Sequence, residues 1–199
     1  MKPISILIIV LIASQVKGQY IKIDNGIVFS SYRNSKDLSL LSSKKLTRYS
    51  FLAGVDYLEK KFFNLSSQAG FHTLGGQEVN NDLPDPYKKI SESTGSIHVN
   101  TTAQVFLKKE GIKYYLGVGP YLNMITGNRA FNSNIYPYTH ERVHWGAKTN
   151  LGIAFYSGKY LFGANITYLL SLSPVAKSSN ITLYNDPISA NISLGYKLH

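Results

Sequence analysis

The chain has 199 residues, of which 44% are hydrophobic, no cysteine, and a formal net charge of +10. This length and composition favour a single domain with one core. The lack of cysteine excludes disulfides, and it excludes a lipoprotein anchored through a cysteine at its cleavage site. The basic charge favours acidic neighbours, such as lipid phosphates or nucleic acid.

The first 18 residues have the pattern of a secretory signal peptide. Lys2 gives a positive start, and an apolar run of about ten residues follows over 4–13. That run is shorter than the roughly twenty residues of a membrane-spanning helix. We therefore predict a signal peptide over 1–18 and a mature domain over 19–199. Export favours lipid phosphates over nucleic acid as the acidic neighbour.

Alternation of apolar and polar residues begins directly after this segment. In the first predicted strand, Ile21 and Ile23 alternate with Lys22 and Asp24. A basic loop over 33–47 leads to the second strand. The turn Glu59-Lys60-Lys61 joins the second strand to the third, and an irregular connection over 74–94 follows.

The second half of the chain repeats this arrangement of strands, short turns and long loops. Lys109-Glu110-Gly111 is predicted to join the fourth strand to the fifth, and Ser157-Gly158 the sixth to the seventh. Longer loops are predicted over 125–141 and 172–186. The eight predicted strands cover about residues 19–32, 48–58, 63–72, 97–108, 112–124, 143–157, 159–171 and 188–198.

Each predicted strand has one uncharged apolar face and one polar face rich in glycine, serine and asparagine. Small polar residues fit the crowded interior of a narrow barrel, and the apolar faces would then meet lipid. We therefore predict an all-β fold, an eight-stranded antiparallel up-and-down transmembrane β-barrel. A soluble lipocalin-like barrel that binds a ligand is the alternative. The predicted inward charges are Lys22, Asp24, Asp56, Lys108, Lys113, Lys148 and Lys197.

Four segments carry strand patterns without a catalytic signature: 26–31, 115–122, 152–155 and 193–197. Together they resemble the PorT-like outer-membrane β-barrel proteins of the Bacteroidetes, and the resemblance spans nearly the whole mature chain. It implies an eight-stranded barrel in the cell outer membrane and a link to the protein secretion machinery as a partner.

Two short motifs have competing interpretations. Residues 140–144 match the HExxH pattern of zinc proteases, which needs a helix to bring two histidines together. Tyr136-Pro137 and the alternation from Val143 argue against a helix, so we predict no metal site. Asn-x-Ser/Thr triplets would be glycosylated only on surface loops. We predict that most of these asparagines instead form hydrogen bonds in the lumen; the five are Asn64, Asn100, Asn165, Asn180 and Asn191.

The inward charges and the outward aromatics each raise a question of function. Excess positive charge inside would suit a narrow anion pore, but an eight-stranded barrel is filled by its own side chains, so we predict a packed polar lumen. The outward aromatics lie beside the short turns, where an interfacial girdle is expected. Their neighbours on that face are aliphatic, so we predict no nucleic-acid binding. These aromatics are Tyr57, Phe63, Tyr114, Phe155, Tyr160 and Tyr196.

Two classes of function remain open. The first is a non-enzymatic barrel with a structural or loop-mediated binding role; the second is a membrane-embedded enzyme that modifies lipids. Only His72 and His140 lie near the outer rim, and neither has a clear nucleophile beside it in the sequence. We therefore predict no catalytic, cofactor-binding or metal-ligating residues. The first loop has two interpretations, contacts with lipopolysaccharide phosphates or an ordinary solvated loop; its basic residues are Arg33, Lys36, Lys44, Lys45 and Arg48.

Overall fold

The computed structural model describes residues 20–34, 45–79, 89–126, 139–177 and 182–198. The predicted signal peptide lies outside them. These residues contain no helix long and apolar enough to span a membrane. The strands are β1 (Tyr20–Ser30), β2 (Tyr32–Asn34), β3 (Leu46–Tyr57), β4 (Phe63–Val79), β5 (Lys89–Lys109), β6 (Ile112–Ile125), β7 (Thr139–His140), β8 (Val143–Ser157), β9 (Tyr160–Ser171), β10 (Ala176–Lys177), β11 (Thr182–Asn185) and β12 (Ile188–Lys197).

Eight of these strands form a closed antiparallel barrel in the order β1-β12-β9-β8-β6-β5-β4-β3. Each barrel strand pairs with its neighbours in the chain, and the first strand closes on the last from Tyr20 opposite Lys197 to Phe29 opposite Ile188. The prediction of an eight-stranded up-and-down barrel is confirmed. Closure leaves no unpaired sheet edge, which a bilayer would not tolerate.

The two ends of the barrel differ in how strands are connected. At one end, called the turn end, short connections over 58–62, 110–111 and 158–159 join the strands. Gly158 has a φ of 59°, as the first central residue of a type II′ hairpin requires. All the longer connections leave from the opposite end, called the loop end. This alternation of long and short connections is the one that the sequence predicts.

The hairpin of β4 and β5 is longer than predicted. Its ladder continues from Phe71 opposite Ile97 up to Val79 opposite Lys89, although residues 74–94 are predicted as an irregular connection. The prediction fails there because it relied on alternating apolar residues. Beyond the apolar part of the barrel, backbone hydrogen bonds hold the two strands together and no apolar face is needed.

A second sheet lies at the loop end, in the order β2-β11-β10-β7. We call it the cap. Its strands come from three of the four connections predicted as loops, and Leu183 lies opposite Asn34 and Ala176 opposite His140. A small apolar core forms beneath it from Val175, Ala176 and Leu183, with Tyr32 packed against them.

The outer surface of the barrel is apolar, as predicted. Leu151, Ile166 and Ile192 are exposed by 62%, 58% and 67%. The residues that alternate with such positions are buried and mostly polar, so the inner and outer faces assigned from sequence are confirmed. The outward aromatics are placed beside the turn end, where the rings of Tyr160 and Tyr196 lie edge to face with centroids 5.5 Å apart.

Candidate functional site

The lumen is lined by polar side chains from all eight barrel strands. Five of the seven predicted inward charges are buried there: Lys22, Asp24, Asp56, Lys113 and Lys148. The prediction is wrong for the other two, Lys108 and Lys197.

Lys108 and Lys197 lie at the turn end instead of inside the lumen. The Lys108 side chain is 45% exposed and forms an ion pair with Glu59. Lys197 is partly exposed at the last position of β12. Strand alternation gives the correct side for both residues but not their height along the barrel axis.

The buried charges are held by direct partners. Lys22 Nζ lies 2.7 Å from Asp56 Oδ1. Gln68 donates a 2.5 Å hydrogen bond to Asp24 Oδ2, and Asn165 donates a longer one of 3.5 Å to the same oxygen. Such contacts compensate the large cost of removing charges from water. The partners therefore allow these charges to be accommodated in a packed interior.

A chain of hydrogen bonds runs from the middle of the lumen towards the loop end. Lys148 Nζ donates to Asn100 Oδ1 at 2.9 Å, and Asn100 Nδ2 lies 2.9 Å from His98 Nε2. His98 Nδ1 lies 2.6 Å from Asn123 Oδ1, and Asn123 Nδ2 lies 3.0 Å from His144 Nε2. Because an amide nitrogen can only donate, the Asn100 contact requires His98 Nε2 to accept. The His98 proton then lies on Nδ1, which donates to Asn123 Oδ1, and the ring is neutral. The chain fixes the orientation of both histidines.

Cavities among the lumen residues are small. One of about 20 Å³ lies beneath the cap, beside His144 and Asn185, and one of about 10 Å³ lies beside Lys22 and Lys113. Each has room for about one water molecule. Cavities of this size support a packed polar interior over an ion pore.

Four of the five asparagines in Asn-x-Ser/Thr triplets are buried in the lumen; Asn180 lies outside the described residues. Asn64 donates to Gln104 at 3.2 Å, and Asn191 donates to Asn165 Oδ1 at 3.0 Å. These positions give a glycosyl group no room. The interpretation of these four as lumen hydrogen-bonding residues is supported. The four are Asn64, Asn100, Asn165 and Asn191.

The HExxH motif does not form a helix. Thr139–His140 is a strand of the cap, and Val143 begins a barrel strand. His144 points into the lumen, whereas the Glu141 carboxylate pairs with Lys177 at 3.0 Å outside it. The arrangement that a zinc protease requires is therefore not present at these residues. Among the described residues, no group of three histidine, cysteine or acidic side chains could hold a metal ion.

His72 lies inside the lumen rather than at an accessible rim. It is 1% exposed, and its ring stacks on His98 with centroids 4.3 Å apart. Neither ring nitrogen has a hydrogen-bond partner among the described residues. A general base needs a nucleophile within hydrogen-bond reach, and this geometry offers His72 none.

The cap is joined to the barrel by polar contacts between residues far apart in the sequence. Ser30 Oγ donates to the Gly75 carbonyl at 2.6 Å and contacts Asn185 Oδ1 at 3.0 Å. Arg33 Nε donates to Asp186 Oδ2 at 2.6 Å, and this hydrogen bond raises the pKa of the Arg33 guanidinium above its ordinary value. Asp186 Oδ1 also accepts from the Ser171 amide at 2.9 Å. These contacts join the described part of the cap to the barrel.

The sequence analysis missed the cap. The only local signal for it is the alternation in Thr182-Leu183-Tyr184-Asn185, where Leu183 and Asn185 are buried. Such a short alternation is too common to identify a strand. The carboxylate partner of Arg33 is Asp186, which no pattern around Arg33 in the sequence indicates.

The turn end of the lumen is closed by aromatic and apolar side chains, which we call the plug. The rings of Tyr20 and Tyr156 lie edge to face with centroids 5.4 Å apart. Lys113 Nζ lies 4.3 Å from the centroid of the Phe106 ring, a cation–π contact. The plug consists of Tyr20, Phe106, Tyr115, Ala154, Tyr156 and Leu161.

Two solved structures with the same architecture are bacterial surface or outer-membrane proteins. Neisserial surface protein A (NspA) is 12% identical to this chain and superposes with a TM-score of 0.53. The match covers 90% of this chain and 97% of the NspA chain. The outer membrane protein AlkL, solved in DMPC lipid bilayers, is 12% identical, covers 92% and 91%, and has a TM-score of 0.56.

At this identity the likeness concerns the fold alone. No family model and no curated protein matches the sequence. The PorT-like relationship therefore stays a prediction. The chain has the closed eight-stranded barrel fold found in bacterial outer-membrane proteins.

Proposed function

We propose that this protein is a non-enzymatic outer-membrane β-barrel, exported by its N-terminal signal peptide, whose capped loop end is a binding surface. The observation that carries the proposal is the combination of an apolar outer wall with a small sheet that covers the loop end. The wall supports residence in a membrane, and the cap supports binding through the loops.

The outer wall favours lipid over water as its surroundings. Val118 and Leu151 are exposed by 58% and 62%, in the middle of β6 and β8. Soluble monomers rarely expose apolar patches larger than a few hundred Å². A soluble lipocalin-like barrel would instead turn its apolar faces inwards, where this protein has its polar side chains.

Gel mobility tests this part of the proposal. The mature chain, refolded in detergent or lipid vesicles, is expected to migrate differently in unheated and boiled samples, because the closed barrel resists the detergent until heated. A chain that stays monomeric in water without detergent, with one mobility before and after boiling, would overturn the membrane assignment.

The ligand that we propose for the loop end is the phosphate of lipopolysaccharide. Arg33 is already neutralised by Asp186, and Lys36 and Lys44 lie outside the described residues. The proposed contact therefore rests on Lys45 and Arg48, which lie at the loop end of β3. The Arg48 side chain donates to Ser93 Oγ at 2.9 Å, and this holds its guanidinium at the barrel rim.

Charge reversal tests this contact. Lys45→Glu with Arg48→Glu is expected to lower lipopolysaccharide affinity at least about tenfold, since each cation near an anionic surface contributes about 1 kcal/mol. Lys109→Glu with Lys159→Glu, at the turn end, is the matched control. Equal affinity of both variants would show that the two residues are ordinary solvated side chains.

A role as an accessory to protein secretion is the finer form of the proposal, and it rests on the PorT-like resemblance. Crosslinking in intact outer membranes followed by pull-down would identify a partner at the cap.

A lipid-modifying enzyme is the competing class. Neither ring nitrogen of His72 has a hydrogen-bond partner in the part of the chain that the structure describes, which supports the non-enzymatic reading.

A further inference from the structure

A cavity of about 410 Å³ opens at the turn end, outside the plug. Its volume is in the range of about 300–1,000 Å³ that small-ligand sites occupy. We call it the lysine mouth. It is lined by Tyr20, Glu59, Lys60, Lys61, Phe106, Lys108 and Lys197.

The charge in this cavity is unbalanced. Four ammonium groups and one carboxylate line it, and the carboxylate, Glu59, is already paired with Lys108. Within the described part of the chain, Lys60 and Lys61 have no carboxylate partner. Exposed lysines at the mouth of a cavity attract anions, and a phosphate accepts hydrogen bonds from several ammonium groups at once.

The floor of the cavity blocks passage into the lumen. Phe106 lies between the mouth and the interior, with Lys108 Nζ 5.2 Å and Lys113 Nζ 4.3 Å from its ring centroid. Lys113 is buried, and its ammonium donates to the neutral Asn64 side chain at 3.1 Å. An anion attracted by these charges would be held at the mouth, because the plug closes the lumen behind it.

We infer that the lysine mouth binds the phosphate group of an anionic ligand, with Lys60 and Lys61 as its principal contacts. A phospholipid headgroup is one source of that phosphate and a free phosphate is another. Exposed apolar residues such as Phe62 and Leu107, at 57% and 68%, lie beside the mouth and bring it to the edge of the apolar wall. Headgroup phosphates lie at this level of a bilayer.

The experiment compares two double variants of the full mature chain in detergent micelles. Lys60→Gln with Lys61→Gln removes two lysines from the mouth. Lys109→Gln with Lys159→Gln removes two exposed lysines from the other short turns, so the net charge is the same. Binding of inorganic phosphate, short-chain phosphatidylglycerol and short-chain phosphatidylcholine is measured by calorimetry, and gel mobility verifies that each variant folds.

Phosphatidylglycerol, inorganic phosphate or both are expected to bind the unaltered protein, and the Lys60 and Lys61 variant is expected to bind about 30-fold more weakly. The control variant should stay within about twofold. Binding of phosphatidylglycerol alone identifies a headgroup site, and binding of inorganic phosphate identifies a site for the free anion. No binding of either ligand, or equal weakening in both variants, would overturn the inference while leaving the membrane assignment unaffected.

Discussion

The two ends of this barrel are closed by different means. The turn end is filled by large side chains of the barrel strands themselves, such as Tyr20 and Phe106. The loop end is covered by a separate small sheet, held by hydrogen bonds such as those of Asn185 to Ser30 and to the Gly75 carbonyl. The length of the connections decides how each end of the barrel can be closed. Short turns leave no chain to cover the barrel, whereas long connections can form one.

The difference also separates the roles of the two ends. The plug belongs to the barrel core, so its loss should affect the unfolding of the whole molecule. The cap has its own small core of Val175, Ala176 and Leu183, so we expect it to unfold at a lower cost in free energy than the barrel. The following changes test this contrast.

The largest effect is expected from Phe106→Ala in the plug. It removes a buried ring and the cation–π contact of Lys113, and the free energy of unfolding should fall by about 3–5 kcal/mol. Urea unfolding in lipid vesicles measures the change. Phe62→Ala, at an exposed ring in the same region, is the control and should cost less than about 1 kcal/mol. Equal losses would mean that the plug is not part of the core.

A local effect is expected from Leu183→Ala in the cap. The cavity left behind should weaken the cap by about 2–4 kcal/mol, with little change in urea unfolding of the barrel. Hydrogen exchange should become faster in β10 and β11 and stay slow in β8 and β9. Leu172→Ala, at a side chain 53% exposed, is the control. Faster exchange throughout the barrel would show that cap and barrel unfold together.

A smaller effect is expected from Asp186→Asn, which removes the charge facing Arg33. The pair is partly exposed, and the new amide can still accept from the Ser171 N–H, so the cap should lose only about 1 kcal/mol. Exchange rates of the β2 and β11 amides measure it. The matched control is Glu141→Gln, because its pair with Lys177 is more exposed and should contribute less.

The last prediction concerns the fluorescence of the folded protein and not its stability. Trp145, 51% exposed on the outer wall near the loop end, is the only tryptophan of the chain. In bilayers with brominated acyl chains its emission should be strongly quenched, since the indole touches lipid. Moving the tryptophan inside, with Trp145→Phe and Tyr115→Trp, should remove most of the quenching. Unquenched emission from the folded, inserted protein would mean that the inner and outer faces are assigned the wrong way round.

Strand alternation was sufficient to predict the barrel wall. Ile21 and Lys22 face opposite sides because successive side chains of a strand must do so, and this rule needs no knowledge of the partners. The same rule placed His98, Asn100 and Lys148 inside. It could not place Lys108 or Lys197 along the barrel axis, because height depends on the stagger of neighbouring strands.

The sequence by itself determined the number of barrel strands, the short turns and the two faces, because each is a local property of a few consecutive residues. Only the tertiary structure decided the cap, the plug and the lysine mouth. Arg33 and Asp186 are 153 residues apart, and Ser30 and Asn185 are 155 apart. No local pattern links such residues. Closure of β1 on β12 brings them together, and the contacts at both ends follow from that closure.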